Sequence, residues 1–110
     1  GIIFALDAAT GSTLWTFNTL LDPTVIPPNN AAGGVWYTPA VDLAGDVYFG
    51  TGNAYTTPRF NLENPDPILY TNSILKLDNA TGNLDWYFQG VPNDFYDWDM
   101  QTAPVYIAED

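Results

Sequence analysis

The chain has 110 residues, room for one small core, and its apolar fraction of 46% is ordinary for a globular protein. Two Lys and Arg against thirteen Asp and Glu leave a formal charge of −11, which excludes nucleic acid and an anionic membrane surface as electrostatic partners. The absence of cysteine excludes a disulfide or thiolate metal site within the segment. No apolar run approaches the ~20 residues of a membrane helix, and no signal-peptide pattern is present.

In chain order, the first element is a strand through Ile2-Ile3-Phe4-Ala5-Leu6, followed by a turn at Asp7–Gly11 and a return strand through Leu14, Trp15 and Phe17. Residues 18–32 form a Pro/Asn-rich connection. Gly33-Gly34-Val35-Trp36 leads into a segment that ends at Asp42, and Ala44-Gly45-Asp46 turns into a strand at Val47-Tyr48-Phe49. A second long loop, 54–71, holds Pro58, Arg59, Pro65 and Pro67. Asn72–Asp78 and Asn83–Phe88 predict a second hairpin, and Val105-Tyr106-Ile107-Ala108 a further strand. No window carries an apolar period of 3.6 over three turns, so the expectation is all-β. Strand-like sequence at both ends predicts that the chain is a fragment.

The two hairpins repeat one pattern. Residues 6–17 and 77–88 share Leu-Asp-x-Ala-Thr-Gly-x-x-x-Trp-x-Phe, and such self-similarity marks units that bury their apolar faces against one another. The pattern has a local rationale. Asp7 and Asp78 can accept backbone N–H groups in the turn, Gly11 and Gly82 supply positive φ, and Trp15 and Trp86 are large packing anchors. Four strands between Trp36 and Phe88 make one antiparallel sheet, the unit of a β-propeller blade; a two-sheet sandwich is the alternative architecture.

Three segments are candidates for chemistry. In Asn93-Asp94-Phe95-Tyr96-Asp97-Trp98-Asp99, acid and aromatic alternate from 96 to 99. An extended backbone would put Asp97 and Asp99 on one face, where a cation or water must relieve their repulsion. Hard cations such as Ca²⁺ choose carboxylates together with amide carbonyls. The bland reading is an exposed acidic loop with packed aromatics. In Gly50-Thr51-Gly52-Asn53 the glycines let backbone end a strand close to another group, and Asn53 projects an amide; this is also an ordinary strand exit. Trp36, after two glycines, reads as a core residue or as a stacking platform.

These segments, with the Trp repeats and in the same order, resemble the PQQ-dependent (pyrroloquinoline-quinone) alcohol dehydrogenases, eight-bladed propellers with Trp-docking motifs. The resemblance runs over nearly all of the chain and implies a partial propeller: residues 1–17 the end of one blade, 36–88 one complete blade, and 89–110 a cofactor-site loop and the start of the next blade. Carried over by position, it implies that Trp36 stacks on the quinone and that Asn53 gives an amide oxygen to a Ca²⁺ or lanthanide ion. Asp97 matches the general base beside that metal, and Asp99 a second carboxylate that binds it in the lanthanide-using branch. The implied activity is oxidation of an alcohol or sugar, with electrons passing to an acceptor such as cytochrome c or a quinone, in a periplasmic or secreted protein. The chain departs from the family pattern at Asn93, commonly His; at Tyr96, commonly Trp; and at Tyr70-Thr71-Asn72, commonly Gly-Asp-Asn. The family's metal-binding Glu, vicinal disulfide and quinone-binding Arg have no match in this segment. The alternative is a non-catalytic propeller that serves as an assembly scaffold. A lone blade leaves unpaired edges and bare sheet faces, so poor stability of the isolated segment is a further expectation.

Overall fold

The computed structural model describes residues 1–19, 33–54, 69–92, 94 and 96–108. The loops expected at 18–32 and 54–71 therefore lie mostly outside the described residues. Six strands are present: β1 (Ile2–Leu6), β2 (Thr13–Asn18), β3 (Ala40–Val41), β4 (Val47–Gly50), β5 (Ser73–Leu77) and β6 (Leu84–Gln89). β1 and β2 form one antiparallel pair; β3-β4-β5-β6 form a four-stranded antiparallel meander. Among the described residues there is no helix. Val105 and Ile107, expected in a strand, lie outside any strand and are exposed; among the described residues no strand pairs with them.

The repeat holds to atomic detail. Asp7 Oδ1 accepts the N–H groups of Ala9 (3.0 Å) and Thr10 (2.7 Å) and the Thr10 hydroxyl (2.8 Å). Asp78 Oδ1 accepts the matching groups of Ala80 (3.1 Å) and Thr81 (2.8 and 2.6 Å). The Thr10 hydroxyl, then the backbone amides, hold the Asp7 carboxyl below the usual carboxylate range, and Thr81 does the same for Asp78. Gly11 and Gly82 sit at φ 73° and 72°, where a Cβ is disfavoured. Both hairpins also slip register at the same place, between Ala5 and Leu6 and between Lys76 and Leu77.

One repeat docks on the other. The Trp15 indole lies over Gly82, so close that a Cβ there would fall 2.5 Å from ring atoms, and its Nε1 donates to Asn79 O at 2.8 Å. That contact sets the β1–β2 pair against the meander. Ile3, Phe49 and Leu77 make the core between them, flanked by Trp15, Phe17, Val35, Val47 and Leu84. β5 is the most enclosed strand, with Ser73, Leu75 and Leu77 all buried on alternate positions. The other face carries Tyr48, Lys76 and Trp86 as cross-strand neighbours, with Lys76 Nζ paired to Asp46 (2.7 Å) and Asp85 (3.0 Å). Hydrogen bonds from Lys76 to Asp46 and then to Asp85 hold its ammonium above the ordinary lysine range. The outer face of the first hairpin, with Ile2, Phe4, Leu6 and Leu14, is exposed apolar surface that suits a further packing layer.

Candidate functional site

Beyond the end of β4, Thr51-Gly52-Asn53 runs on between two other segments. Thr51 N–H donates to Ser73 O (2.8 Å), Gly52 N–H to Gly34 O (2.9 Å), and Asn72 N–H to Gly52 O (2.9 Å). Gly52 is the focus of the site. A Cβ built there would lie 2.6 and 2.7 Å from Cζ3 and Cη2 of Trp36 and 2.7 Å from Oδ1 of Asp99. Only glycine admits both groups so close to the backbone. A Cβ on Gly33 would collide in turn with Gly52 O.

Three of the residues singled out from the sequence thus meet around Gly52. The Asp99 carboxylate accepts the Asn53 backbone N–H at 2.8 Å. Asn53 is 6% exposed and its Oδ1 has no hydrogen-bond partner among the described residues. Trp36 is 47% exposed, packed on Gly52 at the ring edge and tilted against Tyr37 at 5.1 Å between centroids. The indole is therefore held from one side and open on another, which suits a platform better than a core residue.

Asp97 stands apart from these three. It is exposed, and among the described residues no hydrogen bond joins its carboxylate to Asn53 or Asp99. Its φ of 65° breaks the extended run that would have put Asp97 and Asp99 on one pleated face. The cause is Asp94, which the sequence analysis did not single out as a site residue. Its Oδ1 accepts Tyr96 N–H and its Oδ2 accepts Trp98 N–H, both at 2.7 Å, so that the chain at 96–98 curls around the carboxylate. Asp tolerates the left-handed conformation that such a turn demands at position 97 better than most residues do. Tyr96 and Trp98 do share a side, stacked at 5.1 Å with an interplanar angle of 24°. The signal that could have found Asp94 is an Asx turn after Pro92-Asn93, an acid two residues before an amide it can accept.

The fit of these groups to a cation rests on Asn53. A buried amide oxygen without a partner costs about 1–3 kcal/mol unless something satisfies it, and a hard cation does so directly. With Asp99 beside it, the donors are all oxygen, as Ca²⁺ or a lanthanide requires. They are a partial set: among the described residues no group of three or more His, Cys, Asp or Glu could hold a metal ion.

Among the described residues, then, six antiparallel strands carry docked Trp hairpins and a glycine-centred polar site at a strand exit. The family described as glucose/ethanol/alcohol dehydrogenase, β-propeller domain, matches residues 1–108, and the chain belongs to it. The polyvinylalcohol dehydrogenase of a Sphingopyxis species is 35% identical over 106 residues, covering 87% of this chain and 15% of that protein. The quinoprotein glucose dehydrogenase of Escherichia coli is 34% identical over 114 residues, covering 96% and 14%. Among solved structures, the quinohemoprotein alcohol dehydrogenase of Comamonas testosteroni superimposes with a TM-score of 0.71 at 27% identity, covering 90% of this chain and 18% of that one. The chain thus spans about one-seventh of the length of the curated relatives it matches. The fold is that of part of a quinoprotein alcohol dehydrogenase β-propeller, as the resemblance of its Trp repeats and site segments, taken together, implied.

Proposed function

We propose that this chain forms one wall of the active site of a PQQ-dependent dehydrogenase that oxidises an alcohol or a sugar. The observation that carries the reading is the meeting of Trp36, Asn53 and Asp99 at Gly52, where the buried Oδ1 of Asn53 has no hydrogen-bond partner among the described residues. When bound, PQQ supplies the two-electron oxidant and a Ca²⁺ or lanthanide ion the Lewis acid. The roles of this chain's residues are specific. Trp36 offers its open ring as the stacking surface for the quinone. Asn53 Oδ1 and Asp99 would hold the cation, with Asp99 held beside Asn53 by the hydrogen bond it accepts from Asn53 N–H. Asp97 would take the hydroxyl proton of the substrate on its carboxylate and pass it to water, to which it is exposed.

The names of the relatives support the substrate class without narrowing it: they specify polyvinyl alcohol, glucose and alcohols. They also support the electron acceptor. One relative is an alcohol dehydrogenase (quinone) from Gluconobacter oxydans and another a hydroxylase paired with cytochrome c, so a quinone or a cytochrome c is the proposed acceptor here. We assign the activity to the periplasm or the exterior on the family resemblance. The deciding experiment is reconstitution of the parent-length protein with PQQ plus Ca²⁺, and separately plus La³⁺. Quinone absorbance and dye-linked alcohol oxidation would be followed, with Asp97→Ala as control. Activity that disappears in the control supports the reading; no quinone binding with either ion refutes it.

A further inference from the structure

Asp94 is 6% exposed, and a buried carboxylate is costly unless its oxygens are hydrogen-bonded. It has three donors: the Tyr96 and Trp98 amides of its own turn, and Asn72 Nδ2, 3.0 Å from Oδ2. Asn72 is itself enclosed, at 1% exposure and φ 47°. It ties three segments together. Its N–H donates to Gly52 O, its C=O accepts Gly90 N–H, each at 2.9 Å, and its side chain reaches Asp94. At the other end of the turn, Asp99 is bound to Asn53 N–H. Asp94 and Asp99 are therefore each fastened to the chain around Gly52, and Asp97 lies between them in the sequence.

We propose that Asp94 and Asn72 are positioning residues that set the carboxylate of Asp97 relative to the metal- and quinone-facing groups at Gly52. The proposal rests on the reading of Asp97 as the proton acceptor. Neither residue touches the reacting atoms. Asp94 imposes the left-handed bend at Asp97 by gathering the amides on both sides of it, and Asn72 holds Asp94 to the backbone that carries Asn53. The arrangement accounts for a buried acid and a buried amide, 22 positions apart, that the proposed chemistry otherwise leaves without a task. It also accounts for a carboxylate that is exposed yet not free to wander.

The test uses the parent-length enzyme loaded with PQQ and Ca²⁺, with variants Asp94→Asn, Asn72→Asp and the double exchange. Three quantities are read: quinone uptake by absorbance, kcat against KM, and hydrogen exchange of the peptide that contains Tyr96 and Trp98. Asn72→Asp sets carboxylate against carboxylate, and Asp94→Asn sets an NH₂ against an N–H. Each single variant is expected to speed amide exchange at 96–98 and lower kcat about ten- to a hundred-fold, the loss that a displacement of order 1 Å inflicts on a reacting group, with KM and quinone uptake unchanged. The double exchange re-forms the link between 72 and 94 with donor and acceptor reversed, but Oδ2 of Asp94 also accepts Trp98 N–H, so the NH₂ put in its place leaves that amide unbonded and the double variant is expected to stay as slow as Asp94→Asn. A variant that takes up no quinone is replaced by Asn72→Gly, which suits the positive φ and keeps both backbone bonds; kcat must fall there too. Single variants that retain wild-type kcat while Asp97→Asn is inactive overturn the clamp and leave the base reading standing. If Asp97→Asn keeps full activity, the base reading fails and the clamp fails with it.

Discussion

Gly82→Ala and Gly11→Ala make a matched pair, because one repeat turn is covered and its twin is open. Both glycines sit near φ 72° and in equivalent hydrogen-bonded turns, so the backbone cost of an added Cβ is the same, about 1–2 kcal/mol. Around Gly11 a Cβ meets nothing within 4 Å, and the cost stops there. At Gly82 it falls 2.5 Å from Cδ2 and Cε3 of Trp15 and 2.9 Å from Cγ, atoms of a rigid ring that cannot fold aside. The indole must lift off, which adds about 1–3 kcal/mol for overpacking and about 1 kcal/mol for the hydrogen bond from Nε1 to Asn79 O. Gly82→Ala should therefore cost about 4 kcal/mol against about 1–2 for Gly11→Ala. Urea unfolding of the chain, with the midpoint shift multiplied by the wild-type m-value, reads both. Trp15→Phe, which removes the N–H, should shrink the gap between them. Equal costs for the two alanines would refute the claim that docking of Trp15, rather than the turn itself, holds the two sheets together.

Other consequences of the structure are equally direct. Gly52→Ala pushes Trp36 and Asp99 apart at once, so the parent-length protein should lose quinone uptake by absorbance; retained uptake would mean that these groups do not face the cofactor. Asn53→Ala keeps the backbone N–H to Asp99 and removes a buried oxygen that has no hydrogen-bond partner among the described residues, so the metal-free protein should be no less stable while Ca²⁺ affinity in calorimetry falls about ten-fold or more. Unaltered affinity would remove Asn53 from the ligand set. Asp7 and Asp78 have native pKa values lowered first by the Thr10 and Thr81 hydroxyls, so their contribution is complete above the ordinary Asp pKa and is lost as pH falls through the lowered native values. The melting temperature should drop along that acid limb, and Asp78→Asn should flatten it; an acid limb unchanged in Asp78→Asn would show that the turn carboxylates are not its source.

Much of the architecture is written locally. Each Leu-Asp-x-Ala-Thr-Gly turn carries its own partners within five residues: the Asp accepts the next amides and the Thr hydroxyl, and the Gly takes the positive φ. That is why the hairpins were legible from one-dimensional spacing, and why their motif could carry a resemblance to a propeller family. Gly52 was legible too, as a place where something approaches the backbone, though not what. The groups that approach it come from Trp36 and, 46 positions after Asn53, from Asp99, and no periodicity encodes such a meeting. Asp97 shows the limit most clearly. Alternation of acid and aromatic implies an extended strand, but a strand needs a neighbour to bond, and here the amides of Tyr96 and Trp98 bond to Asp94 instead. Asn72 anchors that carboxylate from a different part of the chain. Short-range hydrogen bonds leave a signature in the order of residues; the contacts that assemble a site across the sheets form only once the strands have been packed.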